Sequence, residues 1–196
     1  MKHIVLKAYR DFCENVCGQV EIVPPTLIEF KGEGGSEVFE VDYFGKKVFL
    51  TQTSQLALEV GLPALGDCFC IMPSFRAEKS STIRHLTEYT HAEAELSFIT
   101  LDELMDHVEA MIRHMDSKIK ESGILKEVAT HCSDADPYEL NEEPFLRIKH
   151  SDYIKELKTM GITREDGTFF EEGEVIVGTF FYSRSGPNFL CMQEFA

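Results

Sequence analysis

Two strands joined by a polar loop are the feature that most constrains the fold of this chain. The pattern predicts strands at Cys68–Phe75 and Thr87–Phe98, with a loop from Ala77 to Leu86 between them. Because side chains alternate along a strand, one face of the second strand is small and apolar and the other is polar. The polar face carries Tyr89, His91, Glu93 and Glu95. Such a row is typical either of a solvated sheet face or of a binding site.

Charged residues around the loop favour a binding site. Five of them fall within ten residues: Arg76, Glu78, Lys79, Arg84 and His85. An arginine can grip a phosphate through two hydrogen bonds, an aromatic ring can stack on a purine, and carboxylates can hold an ammonium group. This combination of arginine, aromatic and carboxylate side chains suits a site that binds ATP together with an amino acid. The glycine-rich signatures of P-loop and Rossmann proteins do not occur in the sequence.

The rest of the chain alternates helical and strand patterns, which predicts an α+β fold with an antiparallel sheet flanked by helices. A helix over residues 2–17 ends at Gly18, and a strand at Val20–Val23 stops at Pro24 and Pro25. A glycine loop at 32–35 precedes a hairpin of Val38–Phe44 and Val48–Thr51, which turns at Gly45 and Lys46.

The second half is predominantly helical by pattern. A capping box of Thr100 and Glu103 opens a helix that runs to about Lys120, and Ser151 caps a further helix at Asp152–Met160. Acidic, proline-containing segments at 134–137 and 141–144 are predicted to be exposed loops. We divide the chain into a main domain at 1–175 and an unassigned apolar tail at 176–196, which has strand character.

The composition of the chain limits which partners it can bind. A net charge of −15 over 196 residues opposes extended contact with DNA or with an anionic membrane. No apolar run reaches the roughly 20 residues that span a bilayer, so we expect a soluble, cytoplasmic protein. The six cysteines form no C-x-x-C pair, so buried thiols are favoured over a two-ligand metal half-site, and no metal site is predicted.

Two segments carry a resemblance to a known family. The run from Phe75 to Glu95, F-R-A-E followed by R-H-L-T-E-Y-T and E-A-E, resembles motif 2 of the class II aminoacyl-tRNA synthetases. Gly18–Leu27, G-Q-V-E-I-V-P-P-T-L, resembles motif 1 with its proline, and Val41–Val60 fits the stretch between the two motifs. The match is to the Asp/Asn/Lys subgroup, and within it to asparaginyl-tRNA synthetases of the eukaryotic cytoplasmic type.

The resemblance implies an ATP site. Arg76 would be the catalytic residue and hold the α-phosphate, and Arg84 and His85 would hold the distal phosphates. Tyr89 would stack on adenine, with Glu78 near the adenine and the tRNA 3′ end. The family uses ATP and Mg²⁺ to activate its amino acid, here asparagine, before transfer to tRNA(Asn).

The resemblance also implies an amino-acid site. Gln55 and Glu93 would bind the α-ammonium group, and Glu33 in the glycine loop would close over it. Relatives specific for aspartate place a lysine where this chain has Leu58. A buried lysine without a carboxylate partner is costly, so Leu58 indicates a neutral amide substrate.

Some parts of the family pattern do not occur in this sequence. These are the glycine-rich motif 3 with its ATP-binding arginine, the segment that supplies Mg²⁺ contacts, and the anticodon-binding OB-fold that precedes motif 1. We therefore expect a partial catalytic domain, a ligase fragment by family, that is inactive alone. The motif 1 resemblance also implies a homodimer.

Three functions remain open from the sequence. The first is the motif 1 and motif 2 part of an asparaginyl-tRNA synthetase. The second is a noncatalytic paralogue or interaction module that dimerises. The third is an AMP-forming asparagine synthetase-like enzyme, which would use aspartate and is disfavoured by Leu58.

Overall fold

The computed structural model describes residues 1–30, 37–79, 86–131, 140, 142–163, 167–171 and 189–192. They belong to two compact units, Met1–Thr100 and Leu101–Ala196. Both units combine helices with short strands, so the predicted α+β class is confirmed. Among the described residues, no helix has the length and apolar character needed to span a lipid bilayer.

The first unit is built on two three-stranded sheets. Its elements are α1 (Lys2–Asp11), β1 (Val20–Glu21), β2 (Leu27–Ile28), β3 (Glu40–Tyr43), β4 (Lys46–Leu50), α2 (Gln55–Leu65), β5 (Cys68–Phe75) and β6 (Glu88–Glu95). The strand orders are β1-β5-β6 and β2-β4-β3. Strand β1 runs parallel to β5, whereas every other pairing in these two sheets is antiparallel.

The predicted first helix is confirmed, and its last turn is a π-helix at Phe12–Val16. There the backbone N–H of Cys17 donates to the carbonyl of Phe12, five residues earlier, at 3.0 Å. Gly18 then adopts a φ of 69°, a left-handed conformation that ends helices at little cost for glycine. This turn leads the chain directly into β1.

The predicted hairpin is also confirmed, with its turn one residue earlier than expected. Tyr43 pairs with Lys46, so Phe44 and Gly45 form a two-residue loop. Their φ angles are 51° and 78°, as tight hairpin turns require. The backbone N–H of Gly45 donates to the Asp42 carboxylate at 3.1 Å, which closes the turn.

Helix α2 packs its buried face on strand β5. Leu58, Cys68 and Cys70 are fully buried together, and Ile22 and Met72 pack against them. Sequence patterning did not reveal α2, because its apolar residues surround the axis and Pro63 interrupts the helical pattern. The free thiols of Cys13, Cys17, Cys68 and Cys70 agree with the prediction of unlinked cysteines in the described part.

The second unit contains α3 (Leu101–Glu121), α4 (Ile124–His131), β7 (Leu146–Lys149), α5 (His150–Thr159) and β8 (Phe189–Met192). The long helix α3 is confirmed. The prediction that Ser151 caps α5 is wrong, because the helix begins at His150 directly after β7 and no side chain caps it. Strand β8, from the predicted tail, pairs in parallel with β7.

Other predictions for the second half lie outside the described residues. They concern the acidic segment at 134–137, Asn141 of the segment at 141–144, and the tail at 176–188 and 193–196. Residues 142–144 are described and are exposed outside any helix or strand, as predicted. The domain boundary at residue 175 stays a prediction.

Candidate functional site

The polar face of β6 is the centre of the candidate site. In the register with β5, Tyr89 lies opposite Ser74, His91 opposite Met72, and Glu93 opposite Cys70. The rings of Tyr89 and His91 are 5.4 Å apart, and Nδ1 of His91 is 3.3 Å from Oε2 of Glu93. The three side chains therefore follow one another along a single face, as the alternation predicted.

Glu93 connects this face to the start of α2. The backbone N–H of Ser54 donates to both carboxylate oxygens of Glu93, at 3.1 and 2.9 Å, and the hydroxyl of Thr53 donates to Oε1. The Glu93 side chain is only 11% exposed. The solvated-face interpretation is thus wrong for Glu93. Its carboxylate caps a helix N-terminus, where the helix dipole favours negative charge.

The segment before α2 is held in place by backbone hydrogen bonds. The N–H of Phe75 donates to the carbonyl of Thr51 at 2.9 Å, and the N–H of Thr51 donates to the carbonyl of Thr26 at 2.9 Å. The Thr51 hydroxyl donates to the carbonyl of Thr53 at 2.6 Å. These bonds fix the end of β4 beside the end of β5 and so position Thr53 under β6.

Gln55 is the first residue of α2 and lies on its exposed side. Its backbone N–H donates to Oγ1 of Thr53 at 3.1 Å, and its side-chain amide donates to Glu59 at 2.9 Å. Gln55 directly follows Thr53 and Ser54, the two residues that donate to Glu93. Gln55 and the carboxylate of Glu93, two of the residues predicted to bind the ammonium group, therefore both lie at the N-terminus of α2.

Glu95 extends this face. Burial raises the pKa of Glu95, and the neighbouring carboxylates of Glu59 and Glu93 raise it further. A cationic ligand beside these three carboxylates would relieve their mutual repulsion.

Arg76 follows β5 at the opposite end of the face. Its backbone N–H donates to the carbonyl of Thr87 at 2.9 Å, which closes the base of the loop between β5 and β6. The guanidinium carbon lies 5.5 Å from the centroid of the Tyr89 ring, and Nη1 is 4.0 Å from Glu78. The Arg76 side chain is 51% exposed, so it can reach a ligand phosphate without disturbing packing.

Leu58 lies one turn into α2, below the polar face of β6, and is fully buried. Its neighbours are the buried thiols of Cys68 and Cys70. A lysine at this position would place its amine in a cluster of apolar side chains and thiols.

Sequence reasoning missed Thr53 and Ser54, which hold Glu93. The available signal was their position before a helix, where Ser and Thr are favoured caps. It was not used because α2 itself was missed. The other predicted site residues, Glu33, Arg84 and His85, lie outside the described residues. Within the described ranges, no group of three His, Cys, Asp or Glu side chains is arranged to hold a metal ion.

Comparison with known proteins gives a consistent result. Residues 1–183 match the family model described as tRNA synthetases class II (D, K and N). The cytoplasmic asparagine–tRNA ligase of Homo sapiens is 44% identical over 179 residues, which cover 89% of this chain and 31% of that protein. The probable cytoplasmic asparagine–tRNA ligase of Encephalitozoon cuniculi is 42% identical over 173 residues, 88% of this chain and 38% of that protein.

Solved structures agree with the sequence matches. The asparaginyl-tRNA synthetase of Entamoeba histolytica has a TM-score of 0.75 and 34% identity, over 89% of this chain and 38% of that one. The same enzyme in complex with asparaginyl-adenylate has a TM-score of 0.74. The chain thus spans about a third of the length of the curated relatives it matches. With a family match over most of its residues, the chain belongs to the class II tRNA synthetases of the D, K and N group.

Proposed function

We propose that the face formed by β5, β6 and the start of α2 binds ATP and asparagine for the formation of asparaginyl-adenylate. The observation that carries this proposal is the order of groups along the face. Arg76 and Tyr89 lie at one end and the Glu93 carboxylate lies at the other. This order matches a ligand with a purine and a phosphate at one end and an ammonium group at the other.

At the ATP end, Arg76 would hold the α-phosphate and Tyr89 would stack on the adenine. A guanidinium binds phosphate oxygens through paired hydrogen bonds, and an aromatic ring accepts a base on its face. Glu78 would lie near the adenine, and Arg84 and His85 would bind the distal phosphates. The transfer of asparagine to tRNA(Asn), in the cytoplasm, completes the family activity that we propose.

At the amino-acid end, the Glu93 carboxylate would accept hydrogen bonds from the α-ammonium group. The side-chain carbonyl of Gln55 is a second acceptor at the same helix terminus, and Glu33 would close over the amino acid. Leu58 makes the interior beneath the amino-acid end of the site apolar and uncharged. Asparagine, which carries no side-chain charge, therefore fits better than aspartate.

Mg²⁺ is proposed from the family alone. The described residues contain no cluster of ligands that fits it. What the chain itself supplies is binding and orientation of the nucleotide and of the amino acid.

Ligand binding by the 196-residue chain tests the proposal, measured by calorimetry with ATP, asparagine and aspartate. We expect ATP and asparagine to bind and aspartate to bind more weakly. Equal or tighter binding of aspartate would favour the AMP-forming asparagine synthetase-like alternative. Binding of neither ATP nor an amino acid would contradict the proposal.

Pyrophosphate exchange on the same chain tests catalysis. We expect no exchange at an enzymatic rate, because the arginine of motif 3 is absent from the sequence and the loss of one group that stabilises the transition state commonly costs a factor of about 10² to 10³. Rapid asparagine-dependent exchange that Arg76→Ala abolishes would overturn this expectation.

A second candidate function, self-association, is favoured by one surface. Val16, Val20 and Val23 surround the entry to and exit from β1 and are exposed, Val23 by 80%. Exposed apolar residues that lie together mark protein contact surfaces, and these three valines lie in one short segment. We propose that this segment forms a homodimer contact, either beside the ligand-binding function or, in a noncatalytic paralogue, in place of it.

A further inference from the structure

His91 has no role in the function proposed above, yet it lies between the two ends of the site. Its Nδ1 is 3.1 Å from the hydroxyl of Ser74 and 3.3 Å from Oε2 of Glu93. The ring is 30% exposed, and its neighbour on the other side is the ring of Tyr89. The inference drawn from this placement rests on the proposed function.

The partners of His91 define which nitrogen carries the proton. A carboxylate can only accept a hydrogen bond, so a bare Nδ1 lone pair facing Oε2 of Glu93 would be repelled. With the proton on Nδ1, both Glu93 and the fully buried Ser74 hydroxyl can act as acceptors. These contacts favour the tautomer protonated on Nδ1, which leaves the lone pair on Nε2.

Groups from two separate elements converge on the Glu93 carboxylate. Thr53 and Ser54 donate to it from the start of α2, and Nδ1 of His91, on the same strand as Glu93, lies 3.3 Å from Oε2. On the helix side, Oε1 accepts from Thr53 and Ser54, and Oε2 accepts from the backbone N–H of Ser54. Nδ1 of His91 gives Oε2 a further donor, which adds to the restraint on the last torsion of the side chain, whose energy wells are broad.

We propose that His91 is a positioning residue that fixes the Glu93 carboxylate in the orientation in which it accepts the ammonium group of the amino acid. It acts through Nδ1, and its removal weakens amino-acid binding without changing nucleotide binding. Arg76, which would hold the α-phosphate, lies at the other end of the face, where its side chain contacts Tyr89 and Glu78.

Two variants of the full 196-residue chain separate the roles of the two ring nitrogens. The side-chain amide of His91→Asn places a donor close to the position of Nδ1, whereas that of His91→Gln reaches the position of Nε2. We expect His91→Gln to lose about tenfold in asparagine affinity, the effect of one hydrogen bond to a charged group. His91→Asn should keep the affinity within about threefold, and both variants should bind ATP as the wild type does.

Nitrogen NMR of the histidine rings gives a second readout that needs no ligand. We expect the His91 ring, assigned by its loss in His91→Gln, to be protonated on Nδ1 in the wild type, and this preference to disappear in Glu93→Ala. A ring protonated on Nε2, or equal asparagine affinities for His91→Gln and the wild type, would overturn the positioning role. Failure of the wild type to bind asparagine, with the ring still protonated on Nδ1, would instead locate the failure in the proposed function.

Discussion

The guanidinium carbon of Arg76 lies 5.5 Å from the centroid of the Tyr89 ring. Arg76 comes from the end of β5 and Tyr89 from the start of β6, so the contact spans the open end of the strand pair. A cation over an aromatic face at an exposed site is worth about 0.5 to 1 kcal/mol. A nucleotide that offers phosphate to the arginine and a purine to the ring can replace this contact.

Substitution of Arg76 tests its proposed phosphate contact. We expect Arg76→Ala to lower ATP affinity about tenfold, because hydrogen bonds to a charged group contribute about 1.5 to 3 kcal/mol. Stability should change by less than about 0.5 kcal/mol, since the side chain is half exposed. Calorimetric titration and urea unfolding measure the two effects. The control is Lys155→Ala, which removes an exposed cation from the other unit; equal ATP affinity in Arg76→Ala and in this control would contradict the assignment.

Leu58 provides a test of the core beneath the site. Since Leu58 is fully buried, Leu58→Ala should destabilise the first unit by about 2 to 5 kcal/mol. Leu56→Ala on the same helix is the matched control, because Leu56 is 46% exposed and its loss should cost about 0.5 kcal/mol or less. Urea unfolding followed by circular dichroism measures both. Equal stability of the two variants would show that α2 does not pack as described.

The ion pair of Arg10 and Glu21 predicts a dependence on pH. Arg10 donates to both carboxylate oxygens of Glu21 at 2.8 Å, and these bonds hold the pKa of Glu21 below its ordinary value of 4.5. The pair therefore stabilises the fold above pH 4.5, and this contribution is lost as the pH falls through the lowered pKa.

We expect Glu21→Gln to be less stable than the wild type at pH 7, by about 1 kcal/mol or less because the arginine is partly exposed. The difference should shrink in acid, where the wild-type carboxyl is protonated. Chemical unfolding of both proteins at pH 7 and in acid measures it. A difference that stays constant over this range would show that the pair does not titrate with folding.

The exposed valines predict self-association. Sedimentation of the wild type at tens of micromolar should show a dimer, and Val23→Asp should shift the mass towards the monomer, because it places a charge in an apolar contact. Val60→Asp is a matched control, since Val60 is also 79% exposed but lies on α2. A wild type that sediments as a monomer would contradict the dimer.

The strands of the site could be predicted from the sequence because their signal is local. The alternation from Tyr89 to Glu95 needs only the period of a strand, and it gave the shared face correctly. The predicted strand was too long at its end, where Ser97 turns to donate twice to the Asp67 carboxylate and Phe98 adopts a φ of 57°. Those partners are 30 residues apart in the chain and leave no local pattern.

The cap on α2 could not be predicted for the same reason. Ser54 and Glu93 are 39 residues apart, and only the pairing of β5 with β6 brings them together. Glu93 could be placed on a polar face from the sequence, but its low exposure could not. That depends on the position of α2, whose apolar sequence lacks the helical period.

The capping of α2 by Glu93 has a consequence for synthesis on the ribosome. The helix leaves the ribosome 39 residues before the carboxylate that caps it, an interval of about 2 to 8 s at about 5 to 20 residues per second. During that interval the helix has no cap, and Leu58 is exposed to water until β5 follows. A pause in translation before the end of β5 would prolong the exposure of Leu58, and a pause before residue 93 would prolong the time during which α2 lacks its cap.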